Sequence, residues 1–97
     1  MKENKELEVF YWQDRDDVEV DFIIKEQIRV SQTIQVTTDI SSFEVRDRKI
    51  RGLIRGLEKF GLDNGIIITE DYESTEEIKG KSINYIPLWK WLLKIET

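Results

Sequence analysis

The chain has 97 residues, with 15 basic and 20 acidic side chains and a formal net charge of -5. That length holds one core, so residues 1–97 read as a single domain, and the acidic balance argues against a general polyanion binder. There is no cysteine and no histidine; this excludes disulfides, thiolate sites and serine–histidine or cysteine–histidine hydrolysis within the chain, and leaves oxygen ligands suited to magnesium or manganese for any metal.

In chain order, Met1-Lys2-Glu3-Asn4-Lys5-Glu6 has no apolar run behind it and does not read as a secretion signal. Residues 7–13 are rich in aromatic and β-branched types and predict a strand. The polar cluster Asp14-Arg15-Asp16-Asp17 predicts a turn. Over 18–25 the residues alternate, placing Val18, Val20, Phe22 and Ile24 on one face and Glu19 and Asp21 on the other. After a turn near Glu26-Gln27, residues 28–37 alternate again, with Ile28, Val30, Ile34 and Val36 opposed to Thr33, Gln35 and Thr37. Three strands with short turns predict an antiparallel meander.

The period then changes to that of a helix. Ser41 and Glu44 have capping-box spacing, and Ile50, Leu53, Ile54, Leu57 and Phe60 recur as one apolar stripe. Gly61 stands where a C-terminal cap is expected. Gly52 and Gly56 weaken the helix, and their spacing suggests close packing on a sheet. Residues 65–69, Gly-Ile-Ile-Ile-Thr, predict a buried strand reached by crossover. Residues 70–81 predict a loop or short helix, and Ser82 to Ile86 a last strand. Pro87 opens a final helix carrying Leu88, Trp89, Trp91, Leu92, Leu93 and Ile95. The expected order is βββ-α-β-β-α. No stretch approaches the roughly 18–20 apolar residues of a membrane helix, so a cytoplasmic protein without membrane contact is expected.

Glu19-Val20-Asp21-Phe22 followed by Gln35-Val36-Thr37 resembles the core of the PD-(D/E)XK, or restriction-endonuclease-like, superfamily. The crossover helix and the Gly-Ile-Ile-Ile-Thr strand are similar too. The resemblance implies an α/β fold with a mixed sheet, in which Asp21 and Gln35 hold a divalent cation such as Mg2+, with Glu19 beside them. Thr37 occupies the position of the motif lysine and carries no cation, while Lys25 and Lys49 stand as substitutes without a spacing that chooses between them. The family's first helix has no counterpart ahead of the first strand. A narrower similarity, from about Phe10 to Leu93 and including Ile-Pro-Leu-Trp-Lys-Trp-Leu-Leu, is to the C-terminal domain of a group of prokaryotic AAA-type ATPases. No phosphate loop occurs in this chain, so an ATPase would be supplied in cis or in trans.

Each feature also has a simpler reading. Asp21 and Glu19 fit a solvated strand face, and Gln35 a cross-strand polar contact. Arg46, Arg48, Lys49, Arg51 and Arg55 form either a phosphate-binding face for DNA or a solvated helix exterior paired with neighbouring acids. Trp89 and Trp91 lie about 200° apart on a helix, so one of them is expected at the surface, facing a partner domain or a second copy. Three functions follow: a degenerate nuclease-like module that docks to an ATPase or senses nucleic acid, an active Mg-dependent DNA endonuclease, and an interaction or dimerisation domain without a nucleic-acid role. The nuclease-like readings require Asp21 and Gln35 on adjacent strands with side chains on one face.

Overall fold

The computed structural model describes residues 7–15, 18–38 and 41–96. The expected turn residues Asp16 and Asp17, the side chain of Ile95 and the opening residues 1–6 lie outside the described set. The chain forms a small α/β domain in the order β1 (Leu7–Gln13), β2 (Glu19–Glu26), β3 (Arg29–Val36), α1 (Phe43–Phe60), β4 (Asn64–Thr69), β5 (Ser74–Ile78), β6 (Lys81–Pro87) and α2 (Leu88–Glu96). The six strands make one mixed sheet in the order β1-β2-β3-β4-β6-β5. The β1–β2–β3 meander is antiparallel, β3, β4 and β6 run parallel, and β5 returns antiparallel to β6. No described helix is long and apolar enough to cross a membrane.

Two irregularities overturn the simple alternation expected for the meander. Phe10 pairs with Ile23 and Trp12 with Val20, so Asp21 and Phe22 together oppose Tyr11. This β-bulge reverses the phase of the strand. Val18 and Val20 are buried with Ile23, whereas Phe22 is 45% exposed. In β3, Ile24 pairs with Gln32 but Lys25 with Val30, leaving Ser31 extra. Val30 therefore parts company with Ile34 and Val36, and Ile28 sits in the turn, 93% exposed.

Helix α1 covers one face of the sheet through the expected stripe. Leu53, Ile54 and Leu57 are buried and cluster with Ile67, Ile83 and Tyr85, and Ile50 packs against them. Phe60 instead meets the Trp12 ring edge-on at 5.7 Å. The helix begins one residue later than the spacing of Ser41 and Glu44 implies. Ser42 is the N-cap, and its hydroxyl accepts from the Val45 N–H, so the capping box does not form. Gly61 closes the helix in the left-handed region with φ 71°, and the Leu62 N–H reaches back to the Leu57 carbonyl.

The strand β5 replaces the loop or short helix expected over residues 70–81, since Ser-Thr-Glu-Glu-Ile carries too few apolar residues to signal a strand. Tertiary contacts hold it. Lys79 and Gly80, both with positive φ, make a two-residue hairpin to β6 of the kind whose twist suits paired strands. Glu76 of β5 accepts from the Tyr85 hydroxyl and pairs with Arg46 Nη2 at 3.0 Å. Tyr85 is 1% exposed; burial pushes its hydroxyl up to about 12, the Glu76 hydrogen bond adds to this, and Arg46 partly opposes it.

Two stability measurements test this core. Leu53→Ala or Leu57→Ala removes a fully buried side chain and should cost about 2–5 kcal/mol in urea unfolding. Tyr85 should produce an alkaline loss of stability. The unfolded phenol ionises near pH 10 while the folded one holds its proton to about 12, so the unfolded state binds fewer protons in that window. The contribution is complete below pH ~10 and falls away as pH rises towards ~12, by about 2–3 kcal/mol. Tyr85→Phe should lack this component when the two proteins are unfolded side by side.

Candidate functional site

The bulge at Asp21 takes a main-chain N–H out of the strand ladder, and a side chain completes the bonding. Gln35 is 1% exposed. Its Oε1 accepts from the Asp21 N–H at 2.8 Å. Its Nε2 donates to the carbonyls of Glu19 and Lys49, both at 2.9 Å. Both amide hydrogens are therefore spent on carbonyls of β2 and α1. Asp21 reciprocates across the strands, with Oδ2 accepting from the Val36 N–H at 2.9 Å. The same oxygen receives Lys49 Nζ at 2.7 Å, and both side chains of that ion pair are largely shielded.

Two glycines allow α1 to sit this close. A Cβ on Gly52 would stand 2.1 Å from the Glu19 carbonyl oxygen and 2.8 Å from Gln35 Nε2; one on Gly56 would stand 2.8 Å from Val20 Cγ2. The inferred close packing of these glycines on the sheet is therefore real, and Gly52 brings the Lys49 carbonyl and ammonium within reach of the strands. Lys49, Gly52 and Gly56 share one helical face at i, i+3 and i+7. That spacing is the signal that selects Lys49 over Lys25, which pairs with Glu8 at 3.6 Å instead.

The structure thus brings together the side chains of Asp21, Gln35 and Lys49; Glu19 joins them only through its main-chain carbonyl, and its carboxylate points away. Trp12 and Val20 both approach Gly56 of α1, so alternation turns Tyr11 and Glu19 to the other side, where the Tyr11 hydroxyl donates to the Glu19 carboxylate. The expected sharing of a face by Glu19 and Asp21 fails because the bulge lies between them. The described residues contain no group of three or more acidic, histidine or cysteine side chains able to hold a metal ion. Thr37 is 6% exposed at the end of β3, and its N–H donates to the Ile68 carbonyl at 2.9 Å.

The basic residues of α1 are dispersed among acids. Arg46 meets Glu76 at 3.0 Å, Lys49 meets Asp21, Arg51 meets Asp47 at 3.0 Å, and Arg55 meets Asp14 at 3.1 Å. The hydrogen bond from the Arg15 N–H and, after it, that from Arg55 hold the Asp14 carboxyl below its usual range. Arg48 is exposed. Such pairing leaves little unbalanced positive charge for phosphates.

The opposite face of the sheet is open. Val9, Phe22, Ile24, Ile34, Val36 and Ile68 line a groove of about 670 Å³ there, bordered by Thr37 and by Leu88, Trp89 and Trp91 of α2. Helix α2 is apolar around most of its circumference, and Leu88, Trp89, Leu92 and Leu93 are exposed, Trp89 at 58%. No protein-family model matches the chain, and neither curated proteins nor solved structures include a match.

Replacing Gln35 by Glu, the residue that would complete a carboxylate pair, tests the reading of the cluster. The substitution removes both donors and sets a carboxyl group against two carbonyls beside Asp21. Urea unfolding of Gln35→Glu should show a loss on the order of 3 kcal/mol. A neutral or stabilised variant would mean that the amide network contributes nothing.

Proposed function

We propose that this chain is a restriction-endonuclease-like module without catalytic activity that works by docking, in association with an ATPase domain or protein. The strand order supports the fold assignment: an antiparallel β1–β2–β3 meander followed by a crossover through α1 to parallel β4. Asp21 and Gln35, the two positions that carried the sequence resemblance, do reach a common neighbour, Lys49.

The single observation behind the proposed lack of catalysis is the engagement of Gln35 in main-chain bonding. Its amide hydrogens and its oxygen serve the main chain of β2 and α1, and the Asp21 carboxylate already holds an ammonium group. Metal-assisted phosphodiester hydrolysis needs a held ion, an activated water and stabilisation of the charge that develops at phosphorus. Here a divalent cation would share the Asp21 carboxylate with Lys49 and would find one motif carboxylate. Docking is favoured over nucleic-acid sensing because Arg46, Lys49, Arg51 and Arg55 of α1 are paired with acids while the groove beside α2 is apolar and open. The association with an ATPase rests on the sequence resemblance.

The test is incubation with supercoiled and single-stranded DNA in magnesium or manganese, beside an Asp21→Ala protein. No cleavage and no calorimetric heat of magnesium binding are expected. Cleavage that disappears in Asp21→Ala would restore the endonuclease reading, and retention of DNA at about 0.15 M salt would restore nucleic-acid sensing.

A further inference from the structure

The two edges of the sheet are unlike, and the difference identifies an interaction surface. An edge strand presents main-chain donors and acceptors to any extended chain, and proteins guard edges with short strands, charges, prolines or bulges. The β5 edge is guarded. It is five residues long, Glu77 is exposed, and Glu76 points inward to Tyr85 and Arg46. The β1 edge has seven residues, Leu-Glu-Val-Phe-Tyr-Trp-Gln, with no proline and no lysine. Its one charge, Glu8, is drawn to Lys25 of β2. The bulge at this level lies in β2, which leaves β1 regular. In the described sheet β1 has a strand neighbour on one side only.

We infer that the β1 edge pairs antiparallel with the β1 edge of a second copy of this chain, about a two-fold axis at Phe10. That axis is the one that pairs all seven residues. It sets Phe10 opposite Phe10, Val9 opposite Tyr11, Glu8 opposite Trp12 and Leu7 opposite Gln13. The aromatic–aromatic and aromatic–β-branched pairs are the favourable types across strands, and no like charges are opposed. The same residues on a hydrophilic peptide partner would gain main-chain bonds but not these contacts. The interface is isologous, as closed dimers require, and it joins the two sheets into one of twelve strands. Val9, which lines the apolar groove, makes that open face continuous across the junction. This assignment goes beyond the docking reading and does not depend on the fate of the nuclease site.

Sedimentation equilibrium and engineered cross-linking test it. The wild-type chain should sediment as a concentration-dependent dimer. Val9→Lys should raise the dimer dissociation constant at least tenfold while leaving the circular dichroism spectrum unchanged. Because the chain lacks cysteine, Phe10→Cys introduces one thiol. Opposed Cα atoms in an antiparallel pair lie about 4.5–5.5 Å apart, within the roughly 4.4–6.8 Å that a disulfide spans. Phe10→Cys should oxidise to a covalent dimer and Gln13→Cys should not; this remains decisive if Val9→Lys fails to fold. A monomer up to about 1 mM, a dimer indifferent to Val9→Lys, or cross-linking at Gln13→Cys in preference to Phe10→Cys would each overturn the inference.

Discussion

The arrangement of the domain depends on how one displaced main-chain group is satisfied. A bulge in β2 frees the Asp21 N–H from the ladder, and a buried, unmatched donor costs on the order of 1–3 kcal/mol. Gln35 supplies the acceptor from the neighbouring strand, and its own two hydrogens then need carbonyls. One is on β2 and the other is on α1, so the need of a single amide determines how near the helix lies to the sheet. Gly52 is the corollary: any side chain there would collide with the Glu19 carbonyl. Bulge, amide, glycine and helix placement form one linked requirement.

The same cluster explains why a motif suggestive of metal chemistry has a different local use. A carboxamide can donate and accept at once, which a carboxylate cannot. At the Gln35 position this property stitches three elements together. Asp21 then balances Lys49 and closes the ladder through the Val36 N–H. The far face of the sheet is apolar and turned away from this polar cluster, and the β1 edge runs beside the bulge itself.

The regular elements were legible in the amino-acid sequence, and the departures from regularity were not. The first strand, the apolar stripe of α1, its Gly61 cap and the buried Gly-Ile-Ile-Ile-Thr strand follow from period and cap chemistry, which are local. The two bulges were invisible because an extra residue leaves composition unchanged and shows only in the pairing partner. Their effect was to misplace Phe22 and Val30 and to put Glu19 beside Asp21 when the two diverge. β5 has no local signal because its strand state comes from the hairpin and from the Tyr85–Glu76–Arg46 contacts. Of the candidate site, adjacency of Asp21 and Gln35 was readable from alternation. The place of Lys49 is encoded in its spacing to Gly52 and Gly56, a signal that means something only once the helix is known to lie on the sheet.

The strand order also carries a consequence for how the chain assembles. β1–β2–β3 is a meander and β5–β6 a hairpin, so each piece can form from contacts close in sequence. β4 belongs to neither. It lies between β3 and β6, parallel to both, and each pairing must wait for a loop that includes α1 or β5 to close. Insertion of this isoleucine-rich strand is the non-local step, the kind that slows folding. Until it is complete, β3 and β6 are themselves exposed edges, so the species most prone to misassociation is the one in which two finished halves lack the strand that joins them.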